Sequence, residues 1–283
     1  GQAQTNLGNC HQIIGQFRPG RKHLDLAAEL FTAAAKAVAR TKQPENWAFS
    51  QHNLGGIHEL IGLRHRDGAM LKKAIKAYSS VLEVFNSQGS PLEWANSTAA
   101  RANVRAALGR MTGEAALIET ALADLDAVLE VLKQDEHPAE WASARATRAL
   151  ARRHLAEVTG DAAHLPAALA EFEQADAVLA GLDAPAERAR LQHNLGRTAL
   201  ALPGGAGLDR AEQAFAAALA LGRRDHADYR WAESLTGLGE VALLRGDTAT
   251  ARAHLSEAKA VLALDPASAA LERCADLLAG IGA

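Results

Sequence analysis

The 283 residues carry 30 Lys and Arg against 33 Asp and Glu, a net charge of −3 with a pI near 6.4; a general binder of nucleic acid or anionic membrane would draw its affinity from a basic excess that this chain lacks. Apolar residues make up 48% of the chain and aromatics only 4%, so the packing must be close and built from small side chains, a composition that suits helices. No stretch reaches the roughly 18 uninterrupted apolar residues of a membrane span and no charged-then-apolar leader opens the chain, which reads as soluble and cytoplasmic.

Punctuation along the chain is periodic. Pro44, Pro91, Pro138 and Pro185 follow one another at 47 residues, and Trp47, Trp94 and Trp141 keep the same interval. Arg188 stands in the aromatic slot of the next copy, and Trp231 returns after a shortened step of 43. A fixed period of this size means one supersecondary unit stacked many times. Each copy reads as two antiparallel helices. In the second copy the first helix is expected from about Glu45 to Gly62, a turn through Arg64, Asp67 and Gly68, and the second helix from about Ala69 to Phe85. Proline supplies the fixed φ of a first helical turn, where its missing N–H costs nothing. The Asn86–Ser90 stretch breaks the chain before Pro91 restarts it.

In chain order the expectation is six antiparallel pairs, over residues 1–43, 44–90, 91–137, 138–184, 185–226 and 227–265, and a capping helix within 266–283, about thirteen helices in a single solenoid domain. The pairs start near Gln2, Glu45, Leu92, Ala139, Ala186 and Ala227; the closing helix runs from about Ala267 to Ala279 with Leu271, Ala275 and Leu278 on one stripe. By register the first copy lacks its own Pro-x-x-Trp, so the chain is expected to be a fragment or processed form of a longer protein. Cys10 and Cys274 stand near opposite ends of the sequence, too far apart in a solenoid for an intrachain disulfide.

Within the first helix, Trp47, Leu54 and Ile61 are spaced by seven, and Gly55 is expected to let a neighbouring helix backbone approach. The triplet recurs as Asn6-Leu7-Gly8, Asn53-Leu54-Gly55 and Asn194-Leu195-Gly196, and weakens to Gly237-Leu238-Gly239. In register with Pro-x-x-Trp, these triplets strongly resemble tetratricopeptide repeats of the long bacterial type over essentially the whole chain. The 47-residue copy exceeds the common length of about 34, and the central copies replace Leu-Gly by Arg101-Ala102 and Arg148-Ala149. The resemblance implies an all-α, right-handed superhelix acting as a non-enzymatic scaffold, with first-helix positions facing a concave groove that takes a peptide or partner helix.

By that resemblance the groove includes Asn9, Phe49, His52, Asn103, Arg153, Arg190, His193 and Arg197. Arg153, Arg190 and Arg197 would form a cationic patch suited to a carboxylate or phosphate, favouring an acidic protein or peptide partner. Asn9 and Asn53 match the asparagines of the family's two-carboxylate clamp, but Thr5, Asn96 and Ala100 stand where its basic residues are needed, which argues against chaperone-tail binding. Arg101 with Arg148, and Arg105 with Arg152, repeat at 47 residues. They form either an internal ion-pair network with Glu114, Glu119, Asp124, Asp126 and Glu130, or an anion site.

Other matches are weaker. Arg245-Gly246-Asp247 sits at a turn where Gly and Asp have stop and cap roles. His65-Arg66-Asp67 lacks the companions of a kinase catalytic loop, and Pro203–Gly207 lacks the Lys-Ser/Thr of a phosphate loop. Nothing calls for a cofactor, a metal or a catalytic residue. Two other readings stand beside the scaffold: a regulatory or sensor domain of a larger enzyme or signalling protein, and nucleic-acid binding through the basic residues 1–90, which net +5 against −5 for residues 91–140. The latter is least favoured, because no aromatics interleave the basic residues.

Overall fold

The computed structural model describes residues 2–17, 21–38, 40–222, 229–266 and 268–282. They form thirteen α-helices and no strand: α1 (Gln2–Phe17), α2 (Lys22–Ala37), α3 (Pro44–His65), α4 (Gly68–Val81), α5 (Pro91–Thr112), α6 (Ala115–Val131), α7 (Pro138–Thr159), α8 (His164–Ala180), α9 (Pro185–Leu200), α10 (Leu208–Leu221), α11 (Tyr229–Leu244), α12 (Thr248–Leu262) and α13 (Ala269–Gly282). This is the all-α solenoid class, helix pair upon helix pair. The expected start at Ala227 falls outside the described residues. Pro203–Gly205 forms one 3-10 turn joining α9 to α10.

The periodic prolines open helices, as the register requires: Pro44, Pro91, Pro138 and Pro185 are the first residues of α3, α5, α7 and α9. Each is followed by the same first helical bond, the N–H at position four reaching back to the residue before proline: Trp47 to Gln43, Trp94 to Ser90, Trp141 to His137 and Arg188 to Ala184, at 2.9–3.0 Å. The three tryptophans therefore stand at one place in three successive first helices, and the arginine that replaces them keeps the backbone register.

The turn inside each pair is also periodic, and in the second copy it falls within the expected span from Arg64 to Gly68. Arg66 takes the left-handed conformation (φ 50°), and Gly113 and Gly160, each 47 further on, take it at 75° and 72°. Gly68 instead opens α4, where Asp67 caps the helix by accepting from the N–H groups of Ala69 and Met70. The second helix ends at Val81, four residues short of the expected Phe85, and Leu82–Phe85 continue as turns that still bury Phe85.

The chain divides into two compact units, Gly1–Thr159 and Gly160–Ala283. In the first, α1 pairs with α2, α3 with α4 and α5 with α6, and α7 packs on α5 and α6. In the second, α8 packs on α9, α9 pairs with α10 and α11 with α12, and α13 lies on α12.

The Asn-Leu-Gly glycines serve a purpose other than backbone approach. A Cβ at Gly8 would meet the ring of Phe31 at 2.8 Å, at Gly55 that of Tyr78 at 2.8 Å, and at Gly196 that of Phe215 at 2.8 Å. An aromatic side chain of the second helix lies across each glycine of the first. Phe31, Tyr78 and Phe215 are each at most 2% exposed, and burying such a ring is worth about 1.5–3 kcal/mol. At Ala102 of the third copy the glycine has gained its methyl, and the corresponding second-helix residue is Leu125, in the same buried cluster.

Candidate interaction face

Four first helices place a residue at the sixth helical position: Phe49 on α3, Asn96 on α5 and Ser143 on α7 in the first unit, and Arg190 on α9 in the second. All four are exposed. Phe49, at 48% exposure, tilts against Phe85 with ring centroids 5.4 Å apart. Asn9 is exposed on α1.

One turn further on, the same device appears in each unit. His52 Nδ1 lies 3.0 Å from Ser97 Oγ, joining α3 to α5, and its ring stands edge-on to Tyr78 at 5.2 Å. His193 Nδ1 lies 3.0 Å from Ser234 Oγ, joining α9 to α11, with its ring 5.7 Å from Phe215. Each histidine ties successive first helices together while resting on the aromatic that fills the glycine slot. Burial lowers the pKa of the His52 imidazole, holding it neutral.

The next turn is polar. In the first unit Asn103 Nδ2 donates to Glu59 Oε1 at 2.7 Å, and the Tyr78 hydroxyl donates to Glu59 Oε2 at 2.7 Å. In the second, Arg197 Nη1 donates to Glu240 Oε2 at 2.8 Å, and Arg273 of α13 donates to the same oxygen. One carboxylate is held there between two guanidiniums, the strongest kind of hydrogen bonding available to it.

The residues expected to form one cationic patch have different surroundings. Arg153, in the first unit, is 9% exposed and donates to Glu157 at 2.6 Å along its own helix. Arg190 and Arg197 lie together on α9 of the second unit, the first exposed and the second half-buried against Glu240. The arginine ladder is structural where its partners are seen. Arg101 Nη2 reaches both oxygens of Asp124 at 3.1 Å, Arg105 reaches Oδ2 of the same residue at 2.5 Å, and Arg148 pairs with Asp126 at 2.6 Å.

Two features of this face were missed from the sequence. The ring that brings Tyr78 to Glu59 had a signal, since an aromatic follows the Asn-Leu-Gly glycines Gly8 and Gly55 by 23 residues, at Phe31 and Tyr78. The Arg273 contact to Glu240 had none, because it depends on how α13 settles. Among the described residues no helix is long and apolar enough to cross a membrane, and no group of three or more His, Cys, Asp or Glu could hold a metal ion.

No family model and no curated protein matches this sequence. Solved structures do. A Rap protein complexed with competence and sporulation factor is similar at 13% identity and a TM-score of 0.62, over 95% of this chain and 72% of that one. BtubC (BKLC) from P. vanneervenii is similar at 16% identity and a TM-score of 0.53, over 85% of this chain and 91% of that one. Both are likenesses of fold, and with them the chain shares an all-α helical-repeat architecture.

Proposed function

We propose that this chain is a tetratricopeptide-like interaction module without catalytic activity of its own, binding an acidic peptide or helix of a partner protein on the face made by its first helices. The observation that carries the reading is Glu240, whose carboxylate is received between Arg197 and Arg273 with the exposed Arg190 two turns back along α9. A face that holds one carboxylate this way is chemically suited to others, because guanidinium–carboxylate bonds are roughly twice as strong as neutral ones. The first unit, taken by itself, carries Phe49, Asn96 and Ser143, with Asn9, His52 and Asn103, on its own first helices, an aromatic contact and neutral hydrogen-bonding groups suited to an extended backbone. The Rap structure, solved with a factor bound, supports the reading at the level of fold.

Fluorescence anisotropy with acidic peptides and with their Lys/Arg counterparts tests it. Acidic peptides should bind and weaken as salt rises, since the Debye length shortens to about 8 Å at 0.15 M. Arg190→Glu combined with Arg197→Gln should abolish binding and leave helicity intact. The milder change at Arg197 avoids setting a second carboxylate against Glu240. Equal binding of the basic peptides, or no loss in the double variant, would contradict the proposal.

A further inference from the structure

Helix α4 carries Lys72, Lys73 and Lys76 and no Asp or Glu; among the thirteen described α-helices it alone has basic residues with no acidic one. The second helix of the next copy reverses it. Helix α6 carries Glu119, Asp124, Asp126 and Glu130 and no Lys or Arg. Asp124 is taken up by Arg101 and Arg105 of α5. The three lysines of α4 and the other three acidic residues of α6 are exposed.

The two rows are in register. Helix α4 opens at Gly68 and α6 at Ala115, 47 residues on, so Lys72 and Glu119 are each the fifth residue of equivalent helices in the first unit. Among the described residues neither forms an ion pair, nor does Lys76; Asp126 is already held by Arg148. Solvent asks for charge on an exposed helix but not for a single sign, and exposed helices are ordinarily supported by charges of both signs along their own face. Two rows of opposite sign on consecutive copies are complementary to themselves. A two-fold axis running along the face between them lays α4 of each copy on α6 of the other and brings Lys72 to Glu119 twice. Setting α4 on α4 would instead oppose like charges. The exposed residues between the charges are small, Ala69 on α4 and Ala116, Thr120 and Ala123 on α6, which lets the helices approach.

We propose that the chain pairs with a second copy of itself as a two-fold dimer through the outer faces of α4 and α6. Charge complementarity identifies the occupant, because one chain supplies both halves of the contact. The surface lies on second helices, so it is independent of the acidic-ligand reading of the first-helix face.

Sedimentation velocity of the full chain across protein concentration and salt is the test. A dimer should form at low salt, where the Debye length is about 30 Å, and dissociate at least tenfold more readily near 1 M, where it is about 3 Å. Lys72→Glu and Glu119→Lys, each with circular dichroism unchanged, should weaken the dimer at least tenfold, since each variant sets two like-charged pairs in the interface. Mixed in equal amounts, the two variants should recover it, because both contacts then join opposite charges again. A chain that is monomeric at every salt concentration overturns the proposal, and so does a dimer indifferent to salt or a mixture that stays monomeric. Species that grow beyond a dimer would mean that α4 and α6 pair head to tail, and would overturn the two-fold arrangement.

Discussion

At Gly55 a single methyl decides whether two helices can pair. A Cβ there would stand 2.8–3.0 Å from three atoms of the Tyr78 ring, itself 2% exposed and tied by its hydroxyl to Glu59, so neither partner can easily give way. Gly55→Ala should cost about 1–3 kcal/mol by overpacking. Tyr78→Leu in the same chain, which reproduces the natural Ala102–Leu125 combination, should recover part of that cost, and a double-mutant cycle by denaturant unfolding measures the coupling. A coupling energy of zero would mean that ring and glycine are not competing for space. The charged residues follow a similar logic of shared sites. Arg101 and Arg105 converge on one carboxylate, Asp124, at 17% and 21% side-chain exposure. Half-buried guanidiniums side by side must share an anion or repel, which is why the ladder reads as structure.

At the scale of the element, α13 closes the second unit. Its Cys274 is fully buried in a cluster with Leu255, Ala258 and Leu262 of α12, and Leu271, Leu277 and Leu278 pack against the same group. Removing residues 266–283 should strip that face, lowering the melting temperature and promoting aggregation, because Leu255, Ala258 and Leu262 of α12 would lose their cover. Unchanged melting and solubility would make α13 dispensable. Helix starts were the most legible feature of the sequence, since proline at the first helical position is a local rule that tertiary packing does not overturn. The turn after α3 was less so. The expected span from Arg64 to Gly68 did not say which residue is left-handed; it is Arg66, and comparison with Gly113 and Gly160 reveals it. The reason for the recurrent glycine was misread because close helix approach and a covering ring leave the same mark on one strand of sequence. The first-helix register of the candidate residues was legible; that Arg153 is buried beside Glu157 while Arg190 stays exposed depends on packing no spacing encodes.

At the scale of the whole molecule, repetition divides the surface rather than the core between the two helices of each pair. Both helices fill the core, the second with Phe31, Tyr78 and Phe215 and the first with Ile57, Ile61 and Leu195, while the first helices keep an exposed residue at one register position: Phe49, Asn96 and Ser143 in the first unit and Arg190 in the second. The histidine–serine ties, His52 to Ser97 and His193 to Ser234, hold successive first helices in line in each unit. Within each unit taken by itself, a face assembled from equivalent positions is suited to an elongated ligand rather than to a reaction. Hydrogen–deuterium exchange with and without the tightest acidic peptide tests this division most directly, because it reports which helices the ligand steadies. Exchange should slow in the first helices α9 and α11 and stay unchanged in the second helices α10 and α12; slowing confined to α10 and α12 would contradict the account.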